Sequence, residues 1–194
     1  MEYINLLICT FIVCANVLGQ QTSNTSGESG HTNTNFFSQC CPDTGMSKNF
    51  TIEEIEMQKQ CYSDAIKDEH VKDGKPIYGC VSQCYGEKKG VVDREGSVIS
   101  EAFVQQVLEL YTDESIKNVV RTVAPKCVEH CNAHSKALRA KDPNTYSCSP
   151  AMTLVNLCTY VEIETNCPSE IRISSEKCEA SRNSMIKMKN TMFP

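Results

Sequence analysis

The sequence lacks the patterns that mark several large classes of protein. It contains no repeated C-x-x-C pair of the kind found in zinc ribbons, and no G-x-S-x-G, H-E-x-x-H or phosphate-binding loop. No nucleophile stands in a recognisable arrangement with a base, so we predict that the protein is not an enzyme and uses no cofactor or metal. Basic residues are scattered and the formal net charge is −5, which argues against nucleic acid as a partner.

Long apolar segments are also missing, apart from one at the start. Residues 1–19 form an apolar run typical of a secretory signal peptide, with the small residues Val17 and Gly19 before a cleavage site near Gln20. The run carries Glu2 and no lysine or arginine, so an uncleaved N-terminal anchor is the alternative. No later segment is long and apolar enough to cross a bilayer, and we therefore expect a secreted protein without a membrane span.

Cysteine, in contrast, is abundant. The chain has thirteen cysteines, and eleven remain when Cys9 and Cys14 of the predicted signal peptide are set aside. This density is far above that of an ordinary cytosolic protein and predicts disulfide bonds formed in an oxidising compartment. Because eleven is odd, at least one thiol is free, bonded to a second chain or otherwise engaged, so a monomer and a homodimer are both compatible with the count.

The segment after the predicted signal peptide differs in composition from the rest. Residues 20–39 are rich in Ser, Thr, Asn and Gly, cannot bury much apolar surface, and are predicted to be a disordered leader. Asn24 and Asn49 each begin an N-x-[ST] sequon and are candidate glycosylation sites.

Helical signals dominate from residue 49 onward. Thr51 and Glu54 have the spacing of a capping box, and apolar residues then recur on one predicted helix face, at Ile52, Ile55, Tyr62 and Ile66. A short helix is predicted over "IYGCVSQCYGEKKG", and Ser100 is the expected cap of "EAFVQQVLELY".

The second half of the chain continues the helical pattern. Pro125 is expected to break or kink a helix that begins after Thr112, with a second helical piece over "KCVEHCNAHSKALRA". Ser149 and Pro150 have the pattern of an N-cap and first helical residue ahead of "AMTLVNLCTYVEI", which is apolar nearly all round and so predicted to be buried. We predict an all-α protein.

One predicted helix face carries four soft ligands. Cys127, His130, Cys131 and His134 follow at i, i+3, i+4 and i+7, a spacing at which sulfur and imidazole can hold zinc. Disulfide formation by the cysteines, with solvated histidines, is the favoured interpretation in an oxidising compartment.

The stretch "CTYVEIETNCP", from Cys158 to Pro168, constrains the disulfide network. In a helix, nine residues at about 100° each put the thiols of Cys158 and Cys167 on opposite faces, so each needs a different partner. Pro168 cannot continue the helix and is expected to end it.

The cysteine spacing resembles that of the insect odorant-binding proteins, specifically their Plus-C group. The shared features are the three-residue gap from Cys80 to Cys84, the eight-residue gap from Cys158 to Cys167, Pro168 directly after, and extra cysteines on either side. The resemblance covers Cys61 to Cys178. It implies a compact, disulfide-crosslinked bundle of about six to eight short helices around an apolar cavity, over residues 40–178 and including a C-terminal extension, with a tail at 179–194.

The resemblance also implies three core disulfides: Cys61–Cys84, Cys80–Cys158 and Cys127–Cys167. It leaves Cys40, Cys41, Cys131, Cys148 and Cys178 unassigned. We expect Cys148 and Cys178 to anchor the C-terminal extension and the leader, and Cys131 is an alternative to Cys127 as a core partner.

The function implied is that of a carrier for small hydrophobic molecules such as odorants or pheromones, delivered through aqueous fluid to a chemosensory receptor. The candidate cavity residues are apolar or aromatic: Tyr78, Phe103, Val107, Tyr111, Val120, Met152 and Val155. The alternative is a secreted effector or inhibitor with a filled core and a protein partner. A solid interior with an exposed apolar patch favours that alternative.

Overall fold

The computed structural model describes residues 40–42, 51–67 and 77–192, which belong to one folded unit, residues 39–194. They form six helices: α1 (Ile52–Ala65), α2 (Ile77–Lys88), α3 (Ser100–Leu108), α4 (Glu114–Lys141), α5 (Ala151–Thr165) and α6 (Glu176–Met192). The predicted all-α class is confirmed, since β-structure within these ranges is limited to an isolated bridge between Val92 and Val98. The predicted signal peptide, the leader, Asn24 and Asn49 lie outside the described residues.

Helix α1 begins at the predicted capping box but buries a different face from the one its apolar pattern indicates. The Thr51 hydroxyl accepts a hydrogen bond from the Glu54 amide at 3.1 Å, and the Glu54 carboxylate accepts one from the Thr51 amide at 3.0 Å. Ile52 is 78% exposed, whereas Cys61 and Ala65 are buried. The disulfide from Cys61 to α2 explains the difference, because it fixes which side of α1 meets its neighbour.

A tight turn joins α2 to α3 and is fastened to α4. The Asp93 carboxylate accepts hydrogen bonds from the amides of Glu95 and Ser97 at 2.9 and 2.8 Å. The Asn132 side chain of α4 accepts from the Val98 amide and donates to its carbonyl, both at 2.9 Å. These bonds place the turn against the C-terminal half of α4.

Helix α4 runs without interruption across Pro125, so the predicted break into two helices is wrong. Pro125 is exposed, whereas its neighbours Ala124 and Cys127 are buried. The carbonyl that loses its helical partner is that of Arg121, an exposed residue whose backbone water can reach. Packing of the opposite face against the core and the disulfide from Cys127 to α5 stabilise the helix on both sides of the proline.

Two predicted helix starts are displaced by one residue. Ser100 is the first residue of α3 rather than its cap, and Ile99 occupies the cap position without a side-chain bond. Pro150 is the N-cap of α5, and Ser149 assists from one position earlier, because its hydroxyl accepts a hydrogen bond from the Ala151 amide at 3.3 Å. Helix α5 is buried along most of its length, as its apolar sequence predicts.

Residues 179–192, which lie within the predicted C-terminal tail, form most of α6. This helix packs against α5, and Lys189 pairs with Glu162 of α5 at 2.6 Å. The buried Arg182 donates to the carbonyls of Ile173 and Cys40, at 2.8 and 3.4 Å, and so links α6 to the N-terminal Cys40–Cys41 segment.

Five disulfides crosslink the bundle, and one of the three implied core pairs, Cys61–Cys84, is confirmed. The other two are wrong. Cys80 bonds to Cys148 rather than to Cys158, and Cys127 bonds to Cys158 rather than to Cys167. The remaining bonds are Cys40–Cys178 and Cys41–Cys167, and among the cysteines that the structure describes Cys131 has a free thiol.

The packing of the helices accounts for the changed partners. A disulfide requires Cα atoms about 4.4–6.8 Å apart. Helix α4 lies along α5 in the most extensive helix contact of the fold, which brings Cys127 within 5.7 Å of Cys158. Cys148 lies in the loop before α5, packed against the small α1–α2 cluster, and its Cα is 4.9 Å from that of Cys80. Cys158 and Cys167 therefore do have different partners, as their helical spacing predicts.

Candidate ligand site

The residues predicted to line an apolar cavity lie in the packed core. Six of the seven belong to one hydrophobic cluster built mainly by α3, α4 and α5: Phe103, Val107, Tyr111, Val120, Met152 and Val155. The seventh, Tyr78, is half-buried on α2. None of the seven lines either of the two pockets described below.

A pocket of about 710 Å³ lies beside this core, between the C-terminal half of α4, the α4–α5 loop and the turn around Gly96. We call it the serine pocket, after the buried Ser135 and Ser149 on its wall. Its other lining residues are Glu95, Gly96, Ser97, Asn132, Lys136, Arg139, Ala140, Pro143, Tyr146, Ser147 and Ala151. This volume lies within the range of about 300–1,000 Å³ that is usual for small-molecule sites.

A hydrogen-bonded pair of hydroxyls forms the buried part of the serine pocket. Ser135 Oγ and Ser149 Oγ are 2.9 Å apart, and each residue is only 2% exposed. The Ser149 amide donates to the Gln83 side chain at 2.7 Å, which fastens this wall to α2. The pair is therefore held from three elements, α2, α4 and the loop before α5.

Two cationic side chains, Lys136 and Arg139, lie at the more open part of the serine pocket. Arg139 donates to the backbone carbonyl of Glu95 at 2.8 Å, which ties the Gly96 turn to α4 across the pocket edge. Lys136 forms no salt bridge with any described residue. One carboxylate, that of Glu95, also lines the pocket, so its side chains carry a formal charge of +1.

Gly96 allows the turn to approach the serine wall closely. Its φ of +80° is a left-handed conformation that side chains disfavour, and a Cβ here would lie 2.5 Å from the Ser149 Cβ. The pocket therefore depends on a glycine at this position.

A second pocket, of about 590 Å³, is an open groove over α3 and α4. Its lining residues are Ser100, Glu101, Ala102, Val104, Gln105 and Pro125. It is more open to solvent than the serine pocket, and we regard the serine pocket as the better candidate.

A buried carboxyl lies beneath the Cys40–Cys41 segment. Glu164 of α5 is fully buried, and neither of its oxygens accepts a well-formed hydrogen bond from the described residues. Burial raises the pKa of this carboxyl to about 7, and the amides of Cys40 and Cys41, the Arg182 guanidinium and the Tyr160 hydroxyl only partly oppose the shift. Arg182 also pairs with Glu179 at 2.7 Å, so Glu164 is not its only counterion.

The face of α4 that carries Cys127, His130, Cys131 and His134 does not offer four zinc ligands. Cys127 is oxidised in a disulfide, and burial raises the pKa of the Cys131 thiol to about 12. Among the described residues, no three His, Cys, Asp or Glu side chains are grouped so as to hold a metal ion.

The chain has no match among known protein families, curated proteins or solved structures. Within the described ranges, none of the helices combines the length and the apolarity that a membrane crossing requires.

Most of the serine pocket was not foreseen from the sequence. Only Ser149 carries a sequence signal, as a predicted helix cap. The run "KDPNTYSCSP" marks a loop through its proline, asparagine and serine residues, but the approach of the Gly96 turn to that loop joins residues about 50 positions apart.

Proposed function

We propose that this protein is a secreted carrier of small, partly apolar molecules, and that the serine pocket is its ligand site. The observation that carries the proposal is a partly enclosed pocket of about 710 Å³ held in a framework of five disulfides. Its wall combines hydroxyls with the apolar surfaces of Ala140, Pro143 and Ala151. Polar groups of this kind can orient a small ligand, while the adjoining apolar surface contacts its hydrocarbon part.

The disulfides support the proposal that the protein is secreted. Five bonds in one small unit are typical of proteins that fold in an oxidising compartment and act outside the cell. The similarity of the cysteine spacing to Plus-C odorant-binding proteins supports semiochemicals as ligands and a chemosensory receptor as the recipient. Sequestration would transfer a ligand from water to the pocket, with about 0.8 kcal/mol gained for each buried CH₂ group.

The test is displacement of a fluorescent probe from the oxidised protein by a panel of volatile alcohols, aldehydes and acids. Ala140→Trp should fill the serine pocket and abolish displacement, because Ala140 is an exposed lining residue. Ala137→Trp is the matched control, since Ala137 is exposed on the same helix but does not line the pocket. Lack of binding by every compound, or equal loss in both variants, would contradict the proposal.

A second candidate is a secreted protein that binds another protein. It is favoured by the filled core and by an apolar stripe on α1, in which Ile52, Tyr62 and Ile66 are 78%, 48% and 49% exposed. A substitution at the end of α1 distinguishes the two functions. Ile66→Glu should leave small-molecule binding unchanged if the serine pocket is the site, whereas it should disrupt a protein contact made through this stripe.

A further inference from the structure

We infer that the serine pocket selects small organic carboxylates, whose anionic group is bound by Lys136 and by a hydroxyl of the Ser135–Ser149 pair. This inference rests on the proposed carrier function and specifies its ligand class.

The hydroxyl pair leaves one donor without an acceptor. Ser135 and Ser149 have two hydroxyl hydrogens, and the 2.9 Å contact between their oxygens uses one of them. The only other hydrogen bond of these oxygens in the described part of the chain is one that Ser149 Oγ accepts from the Ala151 amide. Whichever serine donates, the second hydroxyl hydrogen stays unpaired, although both residues are 98% buried. A buried donor of this kind favours a ligand that supplies an oxygen acceptor.

The charged groups of the pocket favour the same ligand. The Lys136 ammonium has no carboxylate partner among the described residues, and Arg139 uses one guanidinium nitrogen on the Glu95 carbonyl. The Asn132 side chain is held by the Val98 backbone, since its oxygen accepts from the Val98 amide and its nitrogen donates to the Val98 carbonyl. The Glu95 carboxylate is the one anionic group on the lining, so the side chains of the pocket keep a net formal charge of +1.

The positive charge of the pocket lining is opposite in sign to the charge of the whole chain. With a net charge of −5, the protein as a whole repels anions, so a preference for carboxylates has to come from a local arrangement of donors. The apolar side of the pocket, formed by Ala140, Pro143 and Ala151, suits a short hydrocarbon body rather than a fully polar acid.

The experiment compares decanoate, 1-decanol and decylamine by isothermal titration with the oxidised full-length chain at pH 7.5. We expect decanoate to bind roughly tenfold more tightly than 1-decanol, because charge-assisted hydrogen bonds are stronger than neutral ones, and decylamine to bind most weakly. In the Lys136→Gln variant the ratio of the affinity for decanoate to the affinity for 1-decanol should fall from about ten to between about one and two.

Lys126→Gln is the matched control. Lys126 is exposed on the same helix and does not line the pocket, so this variant changes the net charge equally and should keep the tenfold preference. Equal affinity of the parent protein for decanoate and 1-decanol would overturn the inference and leave the carrier function standing. An equal loss in both lysine variants would also overturn it, since it would assign the preference to overall charge. If neither decanoate nor 1-decanol binds, the proposed function fails as well.

Discussion

The two halves of helix α4 face very different environments. The N-terminal half contributes Ile116, Val120 and Ala124, all fully buried, to the hydrophobic core with α3 and α5. The C-terminal half contributes Ser135, Lys136 and Arg139 to the serine pocket. One continuous helix therefore serves a filled core at one end and a polar cleft at the other. Apolar side chains interlock and exclude water, whereas small hydroxyl and long charged side chains leave space between elements.

A substitution in the filled core should have the largest effect on the free energy of unfolding. Phe103→Ala should lower the free energy of unfolding by about 3–5 kcal/mol, because Phe103 is 1% exposed and its removal leaves a cavity. Urea denaturation measures the loss. Val104→Ala, at a half-buried neighbour that lines the open groove, is the control and should lose far less. A loss below about 1 kcal/mol for Phe103→Ala would indicate that this region is a ligand cavity after all, and would erase the contrast between the two halves of α4.

The buried carboxyl beneath the N-terminal segment should give the protein a distinctive pH dependence. The pKa of Glu164 is about 7 in the folded protein against an ordinary 4.5, so the folded state holds the proton more tightly than the unfolded state. The contribution of this group to the free energy of unfolding is therefore full below pH 4.5 and falls by about 3 kcal/mol as the pH rises to 7.

Glu164→Gln should remove that fall, because the amide cannot lose a proton, and should make the variant more stable than the parent above pH 7. Urea denaturation at pH 5 and pH 8 measures both changes. Glu170→Gln, at an exposed carboxyl, should leave the parent profile unchanged. If the free energy of unfolding changed equally between pH 5 and pH 8 in the parent protein and in the Glu164→Gln variant, Glu164 would already be charged at pH 5.

The Gly96 turn allows a sharper comparison, because Gly90 is a matched control in the same connection. Both glycines have positive φ, +80° and +71°, but a Cβ at Gly90 meets nothing within 4 Å. Gly90→Ala should lower the free energy of unfolding by about 1 kcal/mol through backbone strain alone. Gly96→Ala should lose at least about 1 kcal/mol more, because its Cβ would collide with the Ser149 side chain, and it should weaken ligand binding. Equal losses would mean that the turn and the serine wall are not in close contact.

Removal of the free thiol of Cys131 should have the smallest effect. Cys131 is fully buried and its thiol pKa is raised to about 12, so it should resist alkylation at pH 8 until the protein unfolds. Non-reducing peptide mapping should recover the five disulfides with Cys131 alkylated only after denaturation. Cys131→Ala should lower the free energy of unfolding by about 1 kcal/mol and leave the disulfides unchanged. Recovery of a Cys131–Cys158 peptide would instead assign the core bond to the other cysteine of this helix face.

Local sequence signals predicted the helical segments from α1 to α5 but not α6, which lies mostly in the predicted C-terminal tail. The capping box at Thr51, the buried character of α5 and the end of α5 before Pro168 all follow from residues close together in the chain. The misplaced starts of α3 and α5 differ from the structure by a single residue. Pro125 shows the limit of such signals, because tertiary packing on one face of α4 stabilises a helix that the local sequence weakens.

Long-range pairing was harder to predict. Even with the spacing of all the cysteines known, Cys148 and Cys158 are ten positions apart and serve different partners, and only the packing of α4 along α5 selects Cys158 for Cys127. The candidate ligand site in the structure differs from the predicted one for the same reason. Apolar residues such as Phe103 and Val155 can form either a cavity wall or a core, and the choice depends on whether neighbouring helices fill the space.

The sequence by itself determined the helical class and the abundance of disulfides, because these follow from local periodicity and from the density of cysteines. The odd count of cysteines also required that at least one lie outside an intrachain disulfide. The tertiary structure decided which thiol stays free, which helices the disulfides join and where the open volume lies. Those outcomes depend on which surfaces pack within a few ångströms of each other, as Gly96 and Ser149 do across 53 positions of the chain.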